Sequence, residues 1–267
     1  MPKFAANLTM LYTDAPFLDR FSRAAASGFS AVEFLFPYPY EAAELQRRVR
    51  DAGVEVVLHN LPAGDWEAGE RGIAVLPGRE REFQDGVTAA LRYAGAIGVP
   101  RLNCLVGKTP VGVDGDVVHR TLVENLRYAA KALEGSGITL LVEALNTFDI
   151  PGFHLTRTAE VLALLDDVAC DNVAVQYDVY HAQRMEGELA NTLSTHLARI
   201  AHVQVADLPG RHEPGTGEIN YDFLFAHLDR IGYAGWVGCE YKPAGATEEG
   251  LGWLQRWRGN SSTGTGT

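Results

Sequence analysis

The chain has 267 residues, of which 46% are hydrophobic and 21% charged, so it can bury a substantial core and is not expected to be disordered as a whole. Its net charge of −11 argues against a nucleic-acid partner, whose phosphates require clustered Lys and Arg, and the short run Arg47 to Arg50 reads as a solvated helix face. No run approaches the ~20 apolar residues of a membrane span.

Along the chain, short apolar runs alternate with segments of helical spacing. Strands are expected at Phe4–Leu8, Ala31–Phe34, Glu55–His59, Arg101–Leu105, Thr139–Glu143, Val173–Tyr177, His202–Val205 and Val237–Glu240. Helices are expected at Phe17–Ser27, Glu41–Ala52, Glu82–Ile97 and Val117–Leu133. Gly28, Gly53, Gly98 and Gly137 stand where a left-handed residue closes a helix before the next strand. Eight repeats with nearly continuous apolar strands predict a single-domain α/β (β/α)8 TIM barrel over residues 1–258, with a Gly/Ser/Thr-rich tail at 259–267 expected to be disordered. The competing open, doubly wound sheet would place Gly-x-Gly-x-x-Gly after the first strand, where Asn7-Leu8-Thr9-Met10 stands instead. Two long loops, 60–79 and 207–220, would emerge on the C-terminal face, where barrel active sites lie.

The ends of the later strands carry the functional signal. Strand five ends in Glu143, strand six delivers Asp178, strand seven Gln204 and strand eight Glu240. On a closed barrel these side chains converge at one rim, and three desolvated carboxylates repel one another unless a cation sits between them. Three carboxylates and an amide suit a hard divalent ion, Mg2+ or Mn2+, better than Zn2+, which more often recruits His or Cys. His59 and His181 stand near strand ends, where each is a candidate for a substrate hydrogen bond or a structural role. Cys104 and Cys239 read as buried structural thiols. With Cys170 the cysteines are odd in number and lack paired spacing, which suits a reducing compartment. The start Met1-Pro2-Lys3-Phe4 lacks the apolar core of a signal peptide, so a cytoplasmic protein is expected.

These residues sit in longer stretches that carry a resemblance. They are His59-Asn-Leu-Pro-Ala-Gly-Asp-Trp-Glu-Ala-Gly-Glu-Arg-Gly-Ile-Ala74, Asn103-Cys-Leu-Val-Gly-Lys-Thr-Pro110, Asp149-Ile-Pro-Gly-Phe-His154, Gln176-Tyr-Asp-Val-Tyr-His181, Glu213-Pro-Gly-Thr-Gly-Glu-Ile-Asn-Tyr221 and Gly238-Cys-Glu-Tyr-Lys-Pro243. Over residues 3–258 the chain resembles the hydroxypyruvate isomerase family of the xylose-isomerase-like barrel superfamily. The resemblance implies isomerisation by proton transfer through an enediolate, with a divalent ion and no organic cofactor. It places the metal ligands at Glu143, Asp178, Gln204 and Glu240 and the acid/base pair at Glu143 and Glu240.

A small 2-oxo or hydroxy acid substrate needs a cation for its carboxylate, and Arg211, Lys242 and Lys108 are the candidates. Trp66 and Arg71, in the first long loop, are expected to close over the substrate. Relatives that isomerise 2-oxo-tetronate share the motifs, so a four-carbon substrate is the leading alternative. A non-catalytic barrel that binds sugar acids would show the same pocket. An abasic-site endonuclease would want a His-rich multi-zinc site and a basic groove, neither of which is visible. A homo-oligomer is compatible with the sequence.

Overall fold

The computed structural model describes residues 1–257, so the expectation for the 259–267 tail falls outside the described residues. Eight strands close into one all-parallel barrel in sequence order: β1 (Lys3–Asn7), β2 (Ala31–Phe34), β3 (Glu55–Asn60), β4 (Arg101–Cys104), β5 (Thr139–Glu143), β6 (Val173–Asp178), β7 (Ile200–Val205) and β8 (Trp236–Cys239). The outer layer holds α1 (Arg20–Ala26), α2 (Ala42–Ala52), α3 (Glu80–Ile97), α4 (Gly115–Leu133), α5 (Thr158–Val168), α6 (Val179–Met185), α7 (Leu189–His196), α8 (Tyr221–Arg230) and α9 (Gly252–Gln255). The expected barrel and its strands are present, with ends shifted by one or two residues. The expected helix over Phe17–Ser27 is instead a 3-10 turn at Phe17–Asp19 followed by α1.

Each helix lies over the barrel because its apolar residues fall on one stripe. In α3 the buried positions Phe83, Val87, Ala90, Ala94 and Ile97 recur every three or four residues. Burying one such large side chain contributes about 1.5–3 kcal/mol. Gly28, Gly53, Gly98 and Gly137 all adopt left-handed backbone, and Gly53 and Gly98 directly close α2 and α3.

The period-two alternation of the strands then sorts side chains between two regions. Outward residues such as Val32, Leu102, Leu140, Val142, Val175 and Val203 join the large core under the helices. Inward residues begin with a small apolar plug of Ala5, Ala31, Val57, Leu58 and Leu141, in which the adjacent Val57 and Leu58 both take part because the β2–β3 register shifts there. Above that plug the same inward rows turn polar, toward the C-terminal ends. Register pairs Glu143 with Gln176, Asp178 with Gln204, and Gln204 with Gly238, so the polar rows of β5 to β8 lie side by side.

Candidate active site

A cavity of about 440 Å³ opens at the C-terminal ends of the strands, lined by Glu143, Gln176, His181, Arg211, Glu240 and Lys242 among others. Glu143 Oε2 accepts hydrogen bonds from Asn103 Nδ2 at 3.1 Å and Gln176 Nε2 at 3.0 Å, which leaves Oε1 for substrate or metal. Glu240 accepts from Asn7 Nδ2 at 3.2 Å on one oxygen and from Arg211 at 2.6 Å on the other. Asp178 serves two purposes. Its Oδ1 caps α6 by accepting the Tyr180 N–H at 2.8 Å, while its buried Oδ2 has no hydrogen-bond partner among the described residues.

Crowding of buried acids shows in their proton affinities. Burial, then the charges of Glu240 and Asp178, pushes Glu143 well above the ordinary carboxylate range. Burial lifts Asp178 to about 6 although Arg211 opposes it. Burial also lifts Glu240 to about 8, against the pull of Arg211. Burial disfavours the charge of Arg211, but Glu240, Asp178 and Glu143 around it more than restore it.

Ligand atoms of Glu143, Asp178 and His181 all lie within 4.8 Å of one another, a buried group able to hold a metal ion. The orphaned Asp178 Oδ2 and the mutual repulsion of the acids both fit a divalent cation. His181 fits that role less well. Its Nδ1 accepts the Asn146 backbone N–H at 3.1 Å and the Asn146 Nδ2 at 2.7 Å, so in the neutral ring Nε2 carries the proton and donates. Burial, with Arg211 and Arg184 nearby, holds His181 well below the ordinary histidine value.

Arg211 owes its place to a carboxylate at the root of its loop. Buried Asp207 accepts backbone N–H bonds from Leu208 (2.9 Å), Gly215 (2.8 Å), Gly217 (2.9 Å) and Ile219 (3.1 Å). The loop folds around this one side chain, and Arg211 takes a left-handed φ of 55° at its turn, a costly backbone for a non-glycine residue. The guanidinium lies over the Tyr180 ring at 4.9 Å and reaches Glu240, and its buried Nε has no partner among the described residues.

Other residues singled out from sequence are placed as follows. Lys242 lines the cavity, and Trp66 lines it while carrying Arg71 stacked on its indole at 3.9 Å. Arg71 itself donates to the Trp66 and Glu70 carbonyls and holds the loop together. Lys108 donates to the Gly69 carbonyl at 2.9 Å, tying that loop to the segment after β4. Gly72 completes this dock: a Cβ there would sit 1.9 Å from the Leu105 carbonyl oxygen. His59 is fully buried, stacked on Phe34 and edge-on to Tyr38, with its neighbour Asn60 lining the cavity instead. Strand alternation sends one of the two inward and the other out.

The Gln204 amide is fully engaged: Nε2 donates to Glu33 Oε1 at 2.7 Å, and Oε1 accepts from Gln176 at 2.6 Å. Glu33 is the largest surprise. It is completely buried, and it also binds Asn7 at 3.0 Å and His202 at 2.6 Å. Gly238 makes room for it, since a Cβ there would lie 2.3–2.5 Å from the Glu33 carboxyl atoms. Asn7, Glu33, Asn103, Gln176 and His202 were not expected in the site, because the carboxylate signal was sought only at the ends of strands five to eight. Counting back two residues from Asp178, Gln204 and Glu240 reaches Gln176, His202 and Gly238, the next inward positions.

Comparison with known proteins agrees with this architecture. A family model for the xylose isomerase-like TIM barrel matches residues 21–257. The chain is 58% identical to a hydroxypyruvate isomerase of Escherichia coli, over 97% of this chain and 100% of that one. It is 48% identical to a 2-oxo-tetronate isomerase of Cupriavidus necator, over 97% of this chain and 100% of that one. A crystal structure from Brucella melitensis, described as an AP endonuclease of family 2, superposes with a TM-score of 0.94 at 48% identity, covering 97% of this chain and 100% of that one.

Proposed function

The chain belongs to the xylose isomerase-like TIM barrel family, among the hydroxypyruvate and 2-oxo-tetronate isomerases, and from that premise we propose that it interconverts hydroxypyruvate and tartronate semialdehyde. The observation that carries this reading is the pair of buried glutamates, Glu143 and Glu240, on one cavity together with the cations Arg211 and Lys242. A proton must leave one carbon and arrive on its neighbour. Glu143, with one oxygen tied by two amides and the other free, and Glu240, held by Asn7 and Arg211 on the same cavity, are placed to take and return that proton. His181 donates from Nε2 to a substrate oxygen. Arg211 and Lys242 receive the carboxylate, and Trp66 keeps water from the cavity mouth.

We assign the metal to Glu143 and Asp178, with Glu240 as a further oxygen donor; Gln204, expected from sequence as a fourth ligand, is held instead by Glu33 and Gln176. Such a set favours Mg2+ or Mn2+, which when bound stabilises negative charge developing on substrate oxygens. The three cysteines form no disulfide among the described residues and two of them are buried, which accords with a reducing, cytoplasmic setting. The same site would serve a four-carbon 2-oxo acid. Measuring kcat/KM for hydroxypyruvate against 2-oxo-tetronate decides between them. Preference for hydroxypyruvate supports the proposal, preference for the longer acid transfers the site to that substrate, and turnover of neither refutes isomerase function. Endonuclease action finds no support in a chain of net charge −11.

A further inference from the structure

We propose that Asn146 is a positioning residue that locks His181 as a neutral imidazole with its proton on Nε2, aimed as a hydrogen-bond donor at the substrate. The inference rests on the isomerase reading for its kinetic consequence, but its structural half stands on geometry alone.

The amide of Asn146 cannot turn over. Its Oδ1 accepts the backbone N–H groups of Phe148 at 3.1 Å and Asp149 at 2.8 Å, closing a turn just beyond β5. Its Nδ2 is thereby pointed the other way, where it donates to Asp149 Oδ2 at 3.0 Å and His181 Nδ1 at 2.7 Å. The backbone N–H of Asn146 converges on the same Nδ1 at 3.1 Å. Two donors facing one ring nitrogen exclude a proton there, so both the imidazolium and the Nδ1–H tautomer are disfavoured. The acceptor end of the relay is itself anchored. Asp149 Oδ2 accepts from the Tyr180 hydroxyl at 2.9 Å, and Arg184 sits 3.5 Å from Asp149 Oδ1.

What remains to His181, which lines the cavity, is an Nε2–H that lies 3.6 Å from Asp178 Oδ2. A protonated Nε2 has no lone pair for a metal ion. The lock therefore divides labour within the buried Glu143, Asp178 and His181 group: the carboxylates hold the cation, and the imidazole donates to an oxygen on which charge develops. Asn146 follows Glu143 by three residues in Glu143-Ala-Leu-Asn146, so the strand that supplies an acid leads directly into the turn that sets the histidine's tautomer.

Side-chain nitrogen NMR of 15N-histidine protein, loaded with Mg2+, tests this directly and needs no substrate. The expected result for His181 is a protonated Nε2 and a bare Nδ1. A proton on Nδ1, or an Nε2 without one, overturns the proposal. In Asn146→Asp the turn-closing oxygen is kept, but an acceptor replaces the donor against Nδ1. The tautomer should lose its single Nε2–H signature, and kcat, measured with whichever acid the wild type turns over, should fall roughly a hundredfold. An unchanged tautomer in the variant, or wild-type kcat despite an altered one, refutes the role assigned to Asn146. Should Asn146→Asp fail to fold, the wild-type spectrum still decides the tautomer. Failure of the wild type on both acids would refute the isomerase reading while leaving the tautomer result standing.

Discussion

Asp207→Asn is a sharp test of how the site is built. The wild-type carboxylate accepts from four backbone N–H groups, Leu208 and Ile219 on Oδ1 and Gly215 and Gly217 on Oδ2. In the asparagine one of these oxygens becomes an NH2, which leaves two N–H donors facing a donor. Hydrogen bonds to a charged group contribute about 1.5–3 kcal/mol each, so losing two costs about 3–6 kcal/mol. The cost falls on the 207–220 loop, which Asp207 organises, rather than on the barrel staves. Arg211 would then leave Glu240 and the cavity for part of the time. Amide hydrogen exchange should quicken across residues 208 to 219, with core strands unchanged. The kcat/KM for the preferred acid should fall about tenfold to a hundredfold, the equivalent of roughly 1.4–2.7 kcal/mol. Wild-type exchange in the loop, together with wild-type kcat/KM, would refute the claim that this carboxylate holds Arg211 in place.

Glu143→Gln and Glu240→Gln should each lower kcat by about a hundredfold or more while leaving the fold intact by circular dichroism, and near-normal turnover in either would remove that residue from the proton-transfer pair. EDTA treatment should abolish turnover, with Mg2+ or Mn2+ restoring it, and full activity after chelation would refute the metal assignment. In metal-free protein burial lifts Glu240 from 4.5 to about 8, so between those values the folded state binds more protons than the unfolded one and stability falls as pH rises. Relative to Glu240→Gln, the wild type should lose up to ~1.4 kcal/mol per pH unit between about pH 6.5 and 8 in urea titrations, and a flat difference would contradict the burial argument. His59 has the opposite sign. Burial lowers it from 6.5 to about 4, so its contribution is full above about 6.5 and is lost as pH falls toward 4. Compared with His59→Gln, the wild type should weaken by roughly 1.4 kcal/mol per pH unit across that range. Gly238→Ala should destabilise by about 1–3 kcal/mol from overpacking alone, because its methyl would meet the Glu33 carboxylate; an unchanged urea midpoint would show that Glu33 can move aside freely.

Much of the molecule follows from local pattern. Alternating strand and helix segments closed by left-handed glycines such as Gly53 and Gly98 leave one economical arrangement, and the barrel has it. The polar strand ends Glu143, Asp178, Gln204 and Glu240 were legible because a barrel must bring them to one rim. What each does there was not. Whether Gln204 faces Glu33 or a cation, whether His59 points to the cavity or to Phe34, and whether Lys108 meets substrate or the Gly69 carbonyl depend on partners 25 to 171 residues away in sequence. Glu33 reads locally as an acid in a short strand; only barrel closure sets it against Asn7, His202, Gln204 and the gap left by Gly238. Periodicity and backbone preference are properties of neighbouring residues, so the sequence by itself determined the elements, the barrel and the ring of strand-end acids. Hydrogen-bond partnership and electrostatic crowding arise between residues remote along the chain, and those only the tertiary structure decided.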